Sequence, residues 1–110
     1  MNEKTIRYRT FDEVVEERFR KEPELVPMFL QTVLDEYEKD PDEGALLSAL
    51  RQVAKANGGM TELAKKTDLT RERLYKTLSQ KGNPRLKNFR KILQAFGYTL
   101  TIKPIKAIQR

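Results

Sequence analysis

The chain has no cysteine and no histidine in 110 residues. Without thiols there can be no disulfide, no thiolate nucleophile and no zinc site of the usual kind, and without imidazole the commonest acid-base group is missing. The expectation is a protein without metal, without cofactor and without catalytic residues. Glu13, Glu16 and Glu17 lie together on a helical face with no base of another type beside them, and neither Ser48 nor Ser79 has a histidine to activate it. Long apolar runs are also lacking: nothing approaches the roughly 20 residues that cross a bilayer, and the polar N-terminus has no signal-peptide core. A soluble, cytoplasmic protein with no membrane partner follows as an expectation.

Charge is abundant and unevenly divided. Residues 1–43 hold seven Lys/Arg against thirteen Asp/Glu, a net −6, whereas residues 44–110 hold fifteen against three, a net +12. A basic half is the footprint of a polyanion binder, and an acidic segment does not belong against DNA. A metal-dependent nuclease would need acids and bases in one cleft, and here they occupy different halves.

The helical signals run in order. Ile6 and Tyr8 alternate with Arg7 and Arg9, which fits an edge strand or a loose basic end equally well. Thr10 and Glu13 form a capping-box pattern opening a helix from Phe11 to Lys21, with Phe11, Val14, Val15 and Phe19 as its apolar positions. A second helix starts near Leu25, with Pro27 in its first turn, and carries the stripe Val26, Phe29, Leu30, Val33, Leu34 and Tyr37. Asp40 as N-cap, Pro41 at the first position and Glu43 at the third predict a helix over Pro41–Ala56 that buries Leu46, Leu47, Leu50, Val53 and Ala54. Asn57-Gly58-Gly59 stops it. Leu86–Phe96 reads as a last helix with Leu86, Phe89, Ile92, Leu93 and Phe96 inward, ended by Gly97.

Between these stops lies the stretch that organises the rest, Met60 to Gly82. Thr61 and Thr70 are N-cap residues for two short helices, and Leu63, Leu69, Leu74 and Leu78 lock them at an angle, with small Ala64 permitting a close crossing. This is the plan of a helix-turn-helix, whose second helix enters a DNA major groove. Stepping about 100° per residue from an inward Leu74 turns Glu72, Tyr75, Lys76 and Ser79 outward, with Arg71 beside them. The candidate DNA-binding residues are Thr70, Arg71, Glu72, Tyr75, Lys76, Ser79 and Lys81. Arg71 can clasp guanine O6 and N7 in a bidentate way or grip phosphate, and Tyr75 and Lys76 suit the backbone. Arg73 falls on a flank, and Lys65, Lys66, Arg85 and Lys87 are phosphate neighbours or solvated charges. The turn position commonly filled by glycine is Asp68, a residue that tolerates positive φ better than most.

After Gly97 the period changes to two: Tyr98, Leu100 and Ile102 alternate with Thr99, Thr101 and Lys103, and Pro104 closes the run. A short C-terminal β-strand is expected, and it must pair with a second subunit, with the Thr5–Tyr8 segment or with a partner's sheet edge. Self-pairing would make Tyr98, Leu100 and Ile102 the interface of a homodimer and set two recognition helices about 34 Å apart. The expected division is an acidic helical segment over 1–39, a DNA-binding core over 40–97 and a strand and tail over 98–110.

From Ala45 to Ile102 the residues ALLSALRQVAKANGGMTELAKKTDLTRERLYKTLSQKGNPRLKNFRKILQAFGYTLTI resemble the addiction-module antidote proteins, the helix-turn-helix antitoxins of bacterial toxin–antitoxin pairs. The GGM, LYKTLS and KGNP segments and the closing FGYTL carry the resemblance, and RFRKEPELVPMFLQTVLDEYEKDP looks like the family's N-terminal helices. Asp68 departs from the glycine that relatives carry there. The resemblance implies a mainly α, lambda-repressor-like helix-turn-helix bundle with two N-terminal helices and a short C-terminal strand. It also implies a type II antitoxin that neutralises a cognate RelE/ParE-like toxin and binds double-stranded operator DNA to repress its own operon. The residues alone equally allow a stand-alone repressor of phage type. RNA is a weaker target, because no platform of interleaved aromatics on strands is visible.

Overall fold

The computed structural model describes residues 10–105 and, among them, holds six helices. These are α1 (Phe11–Lys21), α2 (Leu25–Lys39), α3 (Glu43–Ala56), α4 (Gly59–Thr67), α5 (Arg71–Thr77) and α6 (Leu86–Phe96). The mainly α reading therefore stands. The short N-terminal Thr5–Tyr8 segment lies outside the described residues.

Local chemistry fixes most helix ends. At α1 the full capping box forms: the Thr10 hydroxyl accepts from the Glu13 N–H at 3.1 Å, and the Glu13 carboxylate accepts from the Thr10 N–H at 3.1 Å. Pro27 sits third in α2, where the missing N–H costs nothing. The expected start of α3 moves by two residues. Asp40 is consumed as the C-cap of α2, its N–H donating to the Glu36 carbonyl, so Asp42 becomes the N-cap and accepts from the Ala45 N–H at 3.2 Å. Likewise α4 begins at Gly59 rather than after Thr61, because Gly58 takes φ 103° and lets the chain turn straight from α3 into the next helix.

The core is built around α3, which packs against α1, α2 and α4, while α4 in turn touches α5 and α6. Leu47, Leu50 and Val53 of α3 are completely buried with Leu74, Leu78 and Ile92, and Phe19, Val26 and Leu30 extend the same cluster into the first two helices. Burial of each such side chain is worth about 1.5–3 kcal/mol. The Phe19 and Phe29 rings meet 4.9 Å apart at a 55° tilt, in the aromatic edge-to-face range, where α1 turns into α2. Polar clasps fix α1 and α2 on α3. Gln52 Nε2 donates to Asp12 Oδ1 at 2.7 Å, Lys55 lies 3.7 Å from Glu16, and the Tyr37 hydroxyl donates to Glu43 at 2.7 Å.

Two groups of residues depart from the expected pattern. Phe11 (77% exposed) and Leu86 (71%) are the first residues of their helices and overhang the core, and Val14 falls off the stripe shared by Val15 and Phe19. The larger correction concerns the tail. No strand forms at Tyr98–Ile102: residues 98–105 are without regular structure, and no strand occurs among the described residues. Gly97, at φ 100°, reverses the chain after α6, and the Tyr98 N–H donates to the Leu93 carbonyl at 2.9 Å. The first residue of the supposed strand is thus spent on closing a helix, in the hydrogen-bond pattern of a glycine C-cap. The remainder has no second strand to pair with among the described residues, and alternation of apolar side chains does not by itself satisfy a backbone.

Leu50→Ala should lower unfolding free energy by about 2–5 kcal/mol in urea titrations, whereas Phe11→Ser should change it by no more than about 0.5 kcal/mol.

Candidate nucleic-acid interface

The turn between α4 and α5 is held by three short-range devices. Asp68 occupies the left-handed region at φ 65°, ψ 21°, as the C-cap of α4, and its N–H donates to the Ala64 carbonyl at 3.0 Å. It is the one non-glycine residue with positive φ among those described. Thr67 is buried and turns its hydroxyl onto the Leu63 carbonyl at 2.7 Å, while the same oxygen accepts from the Leu69 N–H at 3.3 Å. Thr70 then caps α5, accepting from the Arg73 N–H at 3.0 Å. Leu63, Leu74 and Leu78 are buried beneath the turn and Leu69 packs over them, as the leucine spacing predicts.

With Leu74 and Leu78 inward, the opposite face of α5 is presented to solvent. Thr70, Arg71, Glu72, Tyr75, Lys76 and Ser79 are all exposed, and Lys81 is exposed in the loop that follows. The structure brings these residues onto one side of one short helix and its flanks. The Arg71 guanidinium stands over the Tyr75 ring, 5.9 Å from its centroid, a cation–π contact that limits the swing of the arginine without neutralising it. The Ser79 hydroxyl donates to the Lys76 carbonyl at 3.0 Å, so it serves the frayed end of the helix. Glu72, Arg73, Lys76, Thr70 and Thr77 border a shallow open groove of about 300 Å³ beside α5, which places Arg73 among the groove residues rather than apart from them.

Among the described residues, ion pairing does not reach α5. The ion pairs among the described residues involve Arg18, Lys21, Lys39, Lys55, Lys65 and Lys103. Arg71, Arg73, Lys76, Lys81, Arg85 and Lys87, on and after α5, have no such partner among the described residues. Their charge is free to act on an outside polyanion. Exposed ammonium and guanidinium groups on a helix face are chemically suited to phosphate contacts, and arginine adds a fork that fits a guanine edge.

Two supports for α5 are not signalled by the sequence pattern. Arg51 of α3 sends Nη1 to the Leu78 carbonyl at the C-terminal end of α5 and so ties α5 to the central helix. Gly82 lets the following loop lie against α5: a Cβ there would run into the Thr77 carbonyl, and its N–H donates to the Ser79 carbonyl at 2.9 Å. A lone arginine in a helix looks like a solvated charge, and a Gly-Asn-Pro run looks like a plain stop, so neither role is readable before the fold is known. The residues expected at a dimer interface are not equivalent. Tyr98 is half-buried against the core, and that burial pushes its phenol above the ordinary range, whereas Leu100 and Ile102 are exposed.

A family model described as "Probable addiction module antidote protein" matches residues 8–104, covering both the acidic helices and the helix-turn-helix. The chain belongs to that family. The antidote-family chain is also 31% identical over 74 residues to an uncharacterised protein of Haemophilus influenzae (strain ATCC 51907 / DSM 11121 / KW20 / Rd), covering 67% of this chain and 75% of the relative. No solved structure matches the chain. Among the described residues, no helix of this antidote-family protein is long and apolar enough to cross a membrane.

Asp68→Val should cost about 1–2 kcal/mol, since a β-branched residue resists the left-handed conformation, while Asp68→Gly should be tolerated; thermal denaturation of the two variants checks the contrast. Gly82→Ala should also lower the melting temperature, because the neighbour it meets is backbone and cannot swing away.

Proposed function

We propose that this protein is the antitoxin of a type II toxin–antitoxin module. In the cytoplasm it binds and neutralises a cognate RelE/ParE-like toxin, and it binds operator DNA through α5 to repress its own operon. The observation that carries the reading is the antidote-family match across residues 8–104. The exposed and unneutralised basic face of α5 supports the DNA-binding half. Arg71 reads guanine from the major groove or anchors the helix N-terminus on phosphate, Glu72 accepts from a cytosine amine or steadies Arg71, and Thr70, Tyr75, Lys76, Ser79 and Lys81 fix the register along the backbone. The protein acts by binding and carries out no catalysis.

Two copies act together on the operator, since a single short helix reads too few base pairs for specificity and successive major grooves recur about every 34 Å. Leu100 and Ile102, exposed on the tail, supply the apolar contact between copies, with Tyr98 anchoring that tail on its own core. Ile102→Asp should therefore convert dimers to monomers in sedimentation; an unchanged dimer would place the contact elsewhere.

The deciding experiment is a low-salt pull-down with the tagged full chain from its native cell. Recovery of a small basic protein together with the bait's own promoter is expected. Promoter DNA without a protein partner would instead indicate a stand-alone repressor of phage type. In gel-shift titrations Arg71→Ala should weaken operator binding by about 1–3 kcal/mol with the fold intact, and affinity should fall steeply with salt in proportion to the phosphates contacted.

A further inference from the structure

The outer side of α2 carries a stripe that the core does not use. Glu24, Met28, Gln31, Asp35 and Glu38 recur at the i, i+4, i+7, i+11 and i+14 spacing of one helical face, opposite the buried Val26 and Leu30. Met28 is 70% exposed at a position where solvent offers an apolar side chain nothing. Glu24 and Glu38 are exposed and have no ion-pair partner among the described residues. At the middle of the stripe Gln31 Nε2 donates to Asp35 Oδ1 at 3.1 Å, which pre-orients the carboxylate. That same oxygen holds Lys103 Nζ at 3.2 Å, 68 residues away along the chain. The Asp35 carboxyl lies below the ordinary range, first because Gln31 hydrogen-bonds its charged form and then because Lys103 does.

The C-terminal tail thus lays one ammonium group, on a chain without regular structure, onto the acidic stripe of α2. The pair is exposed, with side chains 67% and 45% accessible, and a pair of that kind is held weakly enough to be exchanged. We propose that the outer stripe of α2, Glu24–Met28–Gln31–Asp35–Glu38, is the docking surface for the basic toxin, with a toxin lysine or arginine displacing Lys103 from Asp35 and a toxin apolar side chain covering Met28. This rests on the toxin-neutralising reading above and specifies where it happens. Charge complementarity selects the occupant: residues 10–43 hold twelve Asp/Glu against four Lys/Arg, which repels DNA and attracts a cationic protein. The basic face of α5 belongs to a different helix, so the two ligands have separate surfaces.

The test titrates the full chain with the protein encoded by the reading frame beside its own, by calorimetry at low and at moderate salt. The double variant Met28→Lys/Glu38→Lys should weaken that binding by at least about tenfold, with the melting temperature and operator affinity unchanged. Lys103→Ala, which removes the internal competitor, should strengthen it severalfold. Wild-type affinity in the double variant, or weakened binding in Lys103→Ala, would overturn the docking surface while leaving the antitoxin reading in place. Failure of the unaltered chain to bind the neighbouring product, or to rescue growth when that product is expressed, would overturn both.

Discussion

Burial of the apolar positions of α3 is the constraint on which everything else depends. Leu47, Leu50 and Val53 lose all their solvent only if α1, α2 and α4 surround them, and α4 in turn carries α5 and α6. A helix so enclosed cannot be exposed on one side without unpacking the others. The turn at Asp68, the caps and the tail are adjustments made around that buried helix. The same constraint explains why a seven-residue helix such as α5, too short to persist alone in water, is held firmly enough to present side chains in a defined order.

Much of this was legible beforehand because its causes are local. The Thr10/Glu13 capping box, the Thr70 cap, Pro27 in a first turn and Gly97 after α6 each act over a few residues, and each lies where the pattern puts it. The outward turning of Arg71, Glu72, Tyr75, Lys76 and Ser79 follows from the depth of Leu74 and Leu78, which periodicity reveals. What escaped the pattern depends on competition or on distance. Asp40 and Asp42 are both good caps, and only the demand of α2 for a C-cap decides between them. The Arg51 to Leu78 bond joins residues far apart in sequence, and no spacing rule announces it. The tail misled because alternation reports which side of a chain is apolar and says nothing of whether its backbone has a partner.

The division of charge takes on structural form in the folded chain. Acidic α1 and α2 neutralise part of their charge against α3 and the tail through Glu16–Lys55 and Asp35–Lys103, pairs that cross from one half of the sequence to the other. Arg71, Arg73, Lys76, Lys81, Arg85 and Lys87, on α5 and in the stretch that leads into α6, have no such pairing among the described residues. Fields of opposite sign at separate places on one small protein would orient it before contact, steering a polyanion to one surface and away from the other.

Arg51 and Gln52 are consecutive residues of α3, and they reach in different directions. Arg51 grips the end of α5, and Gln52 grips Asp12 at the start of α1. One turn of one helix therefore sets the bearing of α5 and of the acidic helices together. If the chain binds operator DNA and a partner as proposed, a body carried on the acidic side would stand at a fixed azimuth around the DNA axis, so the helical phasing between neighbouring operator sites would decide whether two such bodies collide or share the same face of the duplex.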